Sequence, residues 1–242
     1  MTFEILAAGV GVIAGAIAAV SGFGIGSVLT PLFAAHYDTK LAVAIVSVPH
    51  LAGTAVRFAR LRKHIDGRVL IRFGVLSAVG GLLGALLNAG ADSPVLTIVF
   101  GLLLLFAGIT SLFGLSERMR FGRKTAWVAG ALSGIFGGMV GNQGGIRSAA
   151  LLGFEIDKES FVATATAIAL IGDGARMPVY AVAEHRAIAA AWIPIAFATA
   201  GALVGTLWGV RLLRRIPEEV FRRAVSMLVI LLGFYMLMRG IR

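Results

Sequence analysis

The sequence predicts an all-α polytopic membrane protein made of two four-helix-segment repeats. Three observations support this prediction: the composition, the lengths of the apolar segments and the similarity of the two halves. Of the 242 residues, 58% are hydrophobic and only 14% are charged, which is far from the balance of a soluble domain. No polar stretch is long enough to form a soluble domain, so we expect the chain to fold within a lipid bilayer.

The composition also excludes several kinds of chemistry. The chain contains no Cys, which excludes disulfides, thiolate metal sites and Cys nucleophiles, and its four His are scattered. We therefore expect no metal and no cofactor. The net charge of +10 comes from Lys and Arg in short loops between apolar segments, where membrane proteins keep the charges that set their orientation. This placement argues against nucleic acid as a partner.

Eight stretches of the chain lack Asp, Glu, Lys and Arg. Most have about the length of one membrane-spanning helix, roughly 20 residues, once their ends are extended to the interface. They comprise residues 5–37, 41–56, 73–91, 93–116, 125–146, 161–172, 187–210 and 224–238.

The first stretch has an anomalous length. Residues 5–37 would form a helix about 50 Å long, yet they are too few for two full crossings and a turn. The run Ser-Gly-Phe-Gly-Ile-Gly-Ser at 21–27 interrupts them, and glycines weaken a helix interior. We predict a broken or re-entrant helix hairpin, in which two shorter helices meet at membrane depth.

The fifth stretch repeats this anomaly and indicates a duplication. Residues 125–154 contain one charged side chain, Arg147, and the glycine-rich run 137–145 interrupts them. We predict a first membrane repeat at 1–116, a cytoplasmic connector at 117–124 and a second repeat at 125–242. At an offset of 119 the halves pair Gly22 with Gly141, Gly26 with Gly145, Asp38 with Asp157, Ala44 with Ala163, Gly53 with Gly172 and Arg57 with Arg176.

Loop charge predicts that the repeats are inverted. If each broken element re-enters on its own side, 16 of the 20 loop Lys and Arg share one face and four lie opposite. If the broken elements cross fully, the repeats are parallel and the division is 13 to 7. The positive-inside rule favours the first arrangement, with the basic face in the cytoplasm of a multi-pass inner membrane protein.

The two breaks are the candidate binding site. A short helix that begins after each break exposes unpaired N–H groups and the positive end of its dipole, which together favour an anion. The alternative is that the small residues only permit close helix packing, which we expect for Gly80, Gly84, Gly201 and Gly205. The candidate residues are Gly22, Phe23, Gly24, Gly26 and Ser27 in the first half and Gly141, Asn142, Gln143, Gly144, Gly145 and Ser148 in the second.

Five ionisable residues extend this hypothesis. Arg147 lies in the second break, and Arg57 and Arg176 occupy matching positions, so all three are candidates for binding an anion. Arg57 is equally consistent with a side chain that extends to the cytoplasmic headgroups. Asp173 lies three residues before Arg176 and is interpreted as its ion-pair partner, with proton coupling as the alternative. His50 is either a hydrogen-bonded structural residue or a proton carrier that lines the site.

With these motifs in view, the chain resembles the sulfite exporter TauE/SafE family of membrane permeases. The resemblance covers essentially the whole chain and rests on residues 21–27, on Pro31 four residues later, and on Gly-Asn-Gln-Gly-Gly at 141–145. Family members commonly have a richer glycine run at the first site, which Ile25 interrupts here. The resemblance implies transport of a small sulfur-containing or organic anion such as sulfite, sulfoacetate, thiosulfate or another sulfonate.

The sequence also bears on two other classes of function. An intramembrane serine protease would need Gly-x-Ser-Gly, but the corresponding stretches 19–22 and 131–134 begin with Ala, so we do not expect an enzyme. A passive anion channel can also be lined by facing half-helices, and only uphill transport separates it from a carrier. The coupling ion and the oligomeric state stay open.

Overall fold

The computed structural model describes residues 2–115, 123–142, 144–151, 154, 156–213 and 217–241, and every regular element among them is helical. The predicted connector at 117–124 and the candidate Gln143 lie outside the described residues, except for the start of one helix at Arg123. The helices are α1 Thr2–Ser21, α2 Ile25–Ala34, α3 Thr39–Leu61, α4 Gly67–Gly90, α5 Ser93–Leu112, α6 Arg123–Val140, α7 Gly144–Leu151, α8 Lys158–Ala183, α9 His185–Ala190, α10 Trp192–Leu213 and α11 Glu218–Ile241.

Six of the described helices are long and apolar enough to cross a membrane: α1, α3 with the 3₁₀ turn Arg62–His64, α4, α5, α10 and α11. The all-α, multi-pass membrane architecture predicted from composition is thereby confirmed. Helix α8 has 26 residues, about 39 Å at 1.5 Å per residue, but it carries Asp173 and Arg176 in its interior. The apolar stretch 161–172 therefore underestimates this helix, which continues past both charges to Ala183.

Helix boundaries in the two halves coincide at an offset of 119 residues. Helices α1 and α6 end at positions 21 and 140, α2 and α7 begin at 25 and 144, and α3 and α8 begin at 39 and 158. Asp38 caps α3 by accepting from the N–H of Leu41, and Asp157 caps α8 in the same way. The Ser160 hydroxyl also donates to Asp157 and lowers the pKa of that exposed carboxyl.

The broken element of the first half consists of two helices of unequal length. Helix α1 has 20 residues and α2 has ten. The Phe3 ring at the start of α1 stacks on His36, just after α2, with centroids 3.9 Å apart. The chain therefore returns after the break to the side from which α1 starts.

Glycines allow several pairs of long helices to pack closely, among them α1 with α10 and α4 with α6. A Cβ on Gly80 or Gly84 would overlap backbone carbonyl oxygens of α6, and a Cβ on Gly201 or Gly205 would overlap those of α1. Only glycine permits such close backbone approach, so the packing role expected of these four residues is confirmed.

The contacts between helices are matched when the halves are exchanged. Helix α1 packs on α10 as α6 packs on α4, α3 packs on α10 as α8 packs on α4, and α2 contacts α11 as α7 contacts α5. At the centre the matching helices α3 and α8 pack on each other, and at another contact α5 packs on α11. The described halves thus form one interleaved bundle instead of two separate domains.

Helices α3 and α8 run antiparallel. His64, just after α3, lies 3.5 Å from Glu159 in the first turn of α8, whereas Ser47 in α3 contacts Met177 near the other end of α8. The start of α3 lies beside the turn between α4 and α5, where the Ser93 hydroxyl donates to Asp38 at 3.0 Å. The two matching helices consequently begin at opposite ends of the bundle.

Candidate functional site

Each half of the bundle is broken at a glycine with positive φ. Gly22 follows α1 with φ 78°, Gly24 precedes α2 with φ 138°, and Gly141 follows α6 with φ 73°. L-residues with a side chain rarely adopt these values, so glycine allows the chain to leave one helix and begin the next at once. The Ser21 hydroxyl lies 2.9 Å from the carbonyl oxygen of Ile17 and 2.7 Å from that of Phe23, so its one proton links the end of α1 to the first break.

The two breaks lie against each other in the bundle. A Cβ on Gly26 would overlap the carbonyl oxygen of Gly141, and a Cβ on Gly144 would overlap the Phe23 side chain. The Ser27 hydroxyl lies 3.4 Å from the amide oxygen of Asn142. The first turns of α2 and α7 therefore lie beside the opposite break.

Other predicted residues of the breaks are placed as follows. Gly24 packs on Ile17, Ser148 is half-buried in α7, and Gly145 belongs to the first turn of α7. The amide nitrogen of Asn142 is buried and has no hydrogen-bond partner among the described residues. Thr30 in α2, which sequence reasoning missed, likewise has a buried hydroxyl with no described partner.

Arg147 projects from the first turn of α7 into the interior. Its residue is 2% exposed, and Nη2 lies 3.4 Å from the carbonyl oxygen of Gly22 in the opposite break. Its Nε and Nη1 are buried and have no hydrogen-bond partner among the described residues. A guanidinium with unused N–H groups at this depth is costly unless a negative group accompanies it.

Arg57 is buried as well and does not extend to the surface. The residue is 4% exposed, its Nη2 donates to the Thr54 hydroxyl at 3.1 Å, and its Nε and Nη1 have no described partner. This placement disfavours the snorkelling alternative. The neighbouring Arg60, which is exposed, instead reaches the carbonyl of Leu207.

Asp173 joins His50 and Arg176 in one buried network. One carboxylate oxygen lies 2.7 Å from His50 Nδ1, and the other accepts from Arg176 Nε at 3.1 Å and Nη2 at 2.7 Å. Asp173 is fully buried, so these three bonds offset the loss of water around its charge. The ion pair interpreted from the spacing of Asp173 and Arg176 is present in the structure.

Arg176 also belongs to a group of donors that cap the end of α6. Its Nη1 donates to the carbonyl of Gly137, so its described nitrogen atoms are all engaged. Tyr180 donates to the carbonyl of Gly138, and Asn88 Nδ2 donates to that of Met139 at 2.7 Å. The Gly137 carbonyl also accepts from the N–H of Gly141 at 3.0 Å, whereas the carbonyls of Gly138 and Met139 lie in the last turn, where intrahelical donors are missing. Sequence reasoning missed Tyr180 and Asn88 because nothing local in the sequence connects them to the break.

The buried charges around the breaks are unbalanced. Arg147 lies within electrostatic range of Arg57, Arg176 and Asp173, and among the described residues these four side chains are the buried permanent charges. With His50 neutral, three guanidinium groups and one carboxylate leave an excess of two positive charges. Two of the three arginines retain unused donors, so the arrangement is suited to hold an anion.

Comparison with family models agrees with this chemistry. The model of the sulfite exporter TauE/SafE family matches residues 7–236. The chain therefore belongs to this family, whose members are membrane transporters for sulfur-containing anions and not enzymes. Searches of curated proteins and of solved structures gave no significant match.

Proposed function

We propose that this protein transports a small sulfur-containing or organic anion, such as sulfite, sulfoacetate, thiosulfate or another sulfonate, across the cell's inner membrane. The proposed binding site lies between the two breaks, beside the first turns of α2 and α7. The observation that carries this proposal is the set of unpartnered guanidinium nitrogens, Nε and Nη1, on the buried Arg57 and Arg147. Their excess charge attracts an anion and repels a cation.

The donor types favour an oxyanion. A guanidinium presents its N–H groups in a planar fork that matches two oxygens of a sulfonate, sulfite or carboxylate. The two short helices add unpaired backbone N–H groups and the positive ends of their dipoles. Ser27, Thr30 and Asn142 supply further polar atoms close to the breaks.

An inverted duplication supplies a mechanism for alternating access. The common offset of helix boundaries, the matched helix contacts and the antiparallel α3 and α8 all support such a duplication. The contact of Phe3 with His36 supports a hairpin that re-enters on its own side. In this mechanism one half rocks against the other while the anion stays between the breaks, near the bilayer midplane.

Ligand-dependent stabilisation of the purified protein tests the proposal. We would measure Tm with sulfite, thiosulfate, taurine, sulfoacetate and simple carboxylates, because a ligand that binds only the folded state stabilises it by about 2.7 kcal/mol at 100 times its Kd. Stabilisation by at least one sulfur oxyanion is expected. If none of the tested anions raises Tm, the proposed binding site is contradicted.

Transport in proteoliposomes then separates a carrier from a channel. A coupled carrier accumulates the anion identified by thermal shift against its concentration gradient, whereas a passive channel only equalises the two sides. We expect accumulation when a proton gradient or an opposing anion gradient is imposed. Equilibration without accumulation under every imposed gradient would identify a channel.

A further inference from the structure

His50 lies in the interior of α3 and is held by one nitrogen of its ring. The residue is 7% exposed, and Nδ1 lies 2.7 Å from a carboxylate oxygen of Asp173. Asp173 also accepts two bonds from Arg176, so it is a carboxylate that accepts from Nδ1–H. This contact fixes the tautomer of the neutral imidazole and leaves Nε2 as the nitrogen that can gain a proton.

The other side of the imidazole ring lies toward the proposed anion site. His50 Cδ2 is 3.9 Å from the point where a Cβ on Gly26 would lie, in the first turn of α2. Nε2 is bonded to Cδ2 within the imidazole ring. The ring edge that carries Nε2 and Cδ2, opposite the contact with Asp173, therefore lies on the side of that first turn. A proton on Nε2 would therefore add a positively charged donor beside the anion.

We infer that His50 is the proton-binding residue of this transporter and that one proton from solution enters together with each anion. This inference rests on the anion site proposed above. Protonation converts Nε2 from an acceptor, whose lone pair repels an oxyanion, to an N–H that donates to it. The proton resides on Nε2 while the anion is bound, and both leave when the site opens to the other side.

The charges around His50 explain why the two ligands depend on each other. Arg57 lies on its own helix α3, and Asp173 and Arg176 face it from α8. Arg147 belongs to the same cluster from α7, and Tyr180 lies beside Arg176. In the empty site the two excess positive charges oppose a third on His50. A bound anion, above all a dianion, removes this opposition. Binding of the anion therefore favours binding of the proton, and the reverse follows by linkage.

Direct measurement of proton uptake tests this inference in the wild-type protein. We would titrate the detergent-solubilised full chain with thiosulfate or sulfoacetate, which keep a constant charge between about pH 5.5 and 8.5, across the range in which a histidine titrates. Calorimetry in buffers of different ionisation enthalpy then gives the number of protons bound. We expect uptake of up to one proton per anion and a Kd that rises by up to about tenfold per pH unit above the titration of His50.

The variant His50→Gln tests whether His50 is the residue that binds the proton, and His36→Gln is its control. His50→Gln is expected to bind the anion with a Kd that no longer changes with pH and without proton uptake. His36 stacks on Phe3 away from the breaks, so His36→Gln should retain the wild-type pH dependence.

The outcomes distinguish this inference from the proposed function. Wild-type binding without proton uptake, or a pH dependence that survives in His50→Gln, would overturn the proton inference and leave the anion site intact. If His50→Gln does not fold, the uptake measured in the wild-type chain still decides whether a proton accompanies the anion. If neither anion binds at any pH, both the proposed site and this inference fail.

Discussion

Arg57 and Arg176 lie 119 residues apart, and each donates to the side chain three residues before it, but only Arg176 meets a carboxylate. Arg176 Nη2 lies 2.7 Å from Asp173 Oδ1, whereas Arg57 Nη2 lies 3.1 Å from the Thr54 hydroxyl. The second half thus neutralises Arg176, whereas the first half does not neutralise the matching Arg57. The anion that we propose as substrate would supply the charge that is missing beside Arg57.

Thr54→Asp is therefore expected to weaken anion binding. The new carboxylate would pair with Arg57 as Asp173 pairs with Arg176, so the substrate would compete with a permanent internal anion. We expect Kd for thiosulfate to rise by at least about tenfold, which corresponds to about 1.4 kcal/mol. Thr54→Val, which has nearly the same shape and no charge, is the control and should change Kd by only a few-fold. Equal Kd values for Thr54→Asp and wild type would show that Arg57 does not contact the anion.

Arg147→Gln is expected to impair binding and spare stability. The substitution removes a charged donor whose Nε and Nη1 have no described protein partner. Loss of one charge-assisted hydrogen bond costs about 1–3 kcal/mol of binding free energy, or roughly 5- to 150-fold in Kd. Calorimetric titration would measure this change, and Tm without ligand should stay near the wild-type value. Wild-type affinity in folded Arg147→Gln would place the anion elsewhere.

Arg176→Gln should have the opposite pattern. This substitution leaves the buried Asp173 with one charged partner fewer and removes one of the two donors to the Gly137 carbonyl, which also accepts from the N–H of Gly141. Removing one partner of a buried ion pair costs about 3–5 kcal/mol, so we expect a lower Tm or poor expression. Thermal unfolding in detergent would measure the loss. An unchanged Tm together with lost binding would instead assign Arg176 to the anion, as the sequence suggested.

The sequence was informative about where the helices break. Glycine runs inside apolar stretches are visible without a structure, and positive φ at Gly22 and Gly141 is the physical reason for them. The caps Asp38 and Asp157 are equally local features, since a carboxylate one residue before a helix satisfies its first N–H groups. These features account for the shared boundaries at an offset of 119.

The sequence was less informative about which polar side chains meet. Whether Arg57 extends to the headgroups or turns inward depends on packing among several helices, which no local pattern records. Tyr180 and Asn88 come from α8 and α4 but cap the same end of α6. The alignment of the halves pairs Thr54 with Asp173, so this difference is visible in the sequence. Its consequence for charge is apparent only in the structure, which shows that both Arg57 and Arg176 are buried.

Gly26→Ala is expected to lower stability and abolish binding. Its Cβ would overlap the carbonyl oxygen of Gly141, so the two breaks would have to separate. Gly9→Ala in α1 is the matched control, because nothing lies within 4 Å of its Cβ position and alanine favours a helix by about 1 kcal/mol. Thermal unfolding with and without thiosulfate would measure both effects. Wild-type stability and binding in Gly26→Ala would contradict the close contact of the breaks.

Single cysteines test the inverted arrangement without background, since the native chain has no Cys. His64 and Glu159 lie 3.5 Å apart at the end of α3 and the start of α8, so His64→Cys and Glu159→Cys should react from the same side of the membrane. Asp92 is exposed beyond the far end of α4, whose 24 residues span about 36 Å, so Asp92→Cys should react from the opposite side.

The loop charges predict which of the two faces is cytoplasmic. Arg57 is buried inside α3, so it does not count as a loop charge. Of the other 19 loop Lys and Arg, 15 share the face of residues 64 and 159 in the inverted arrangement, so that face should be cytoplasmic. Membrane-impermeant maleimide applied to intact cells should therefore label Asp92→Cys, and it should label the other two variants only after permeabilisation. Asp38 at the start of α3 contacts Ser93, so residue 92 reports the side on which α3 begins. Residue 159 reports the side on which α8 begins. Labelling of the two residues from opposite sides would therefore show that the matching helices begin on opposite sides of the membrane. Labelling of both from one side would contradict inversion and require parallel repeats.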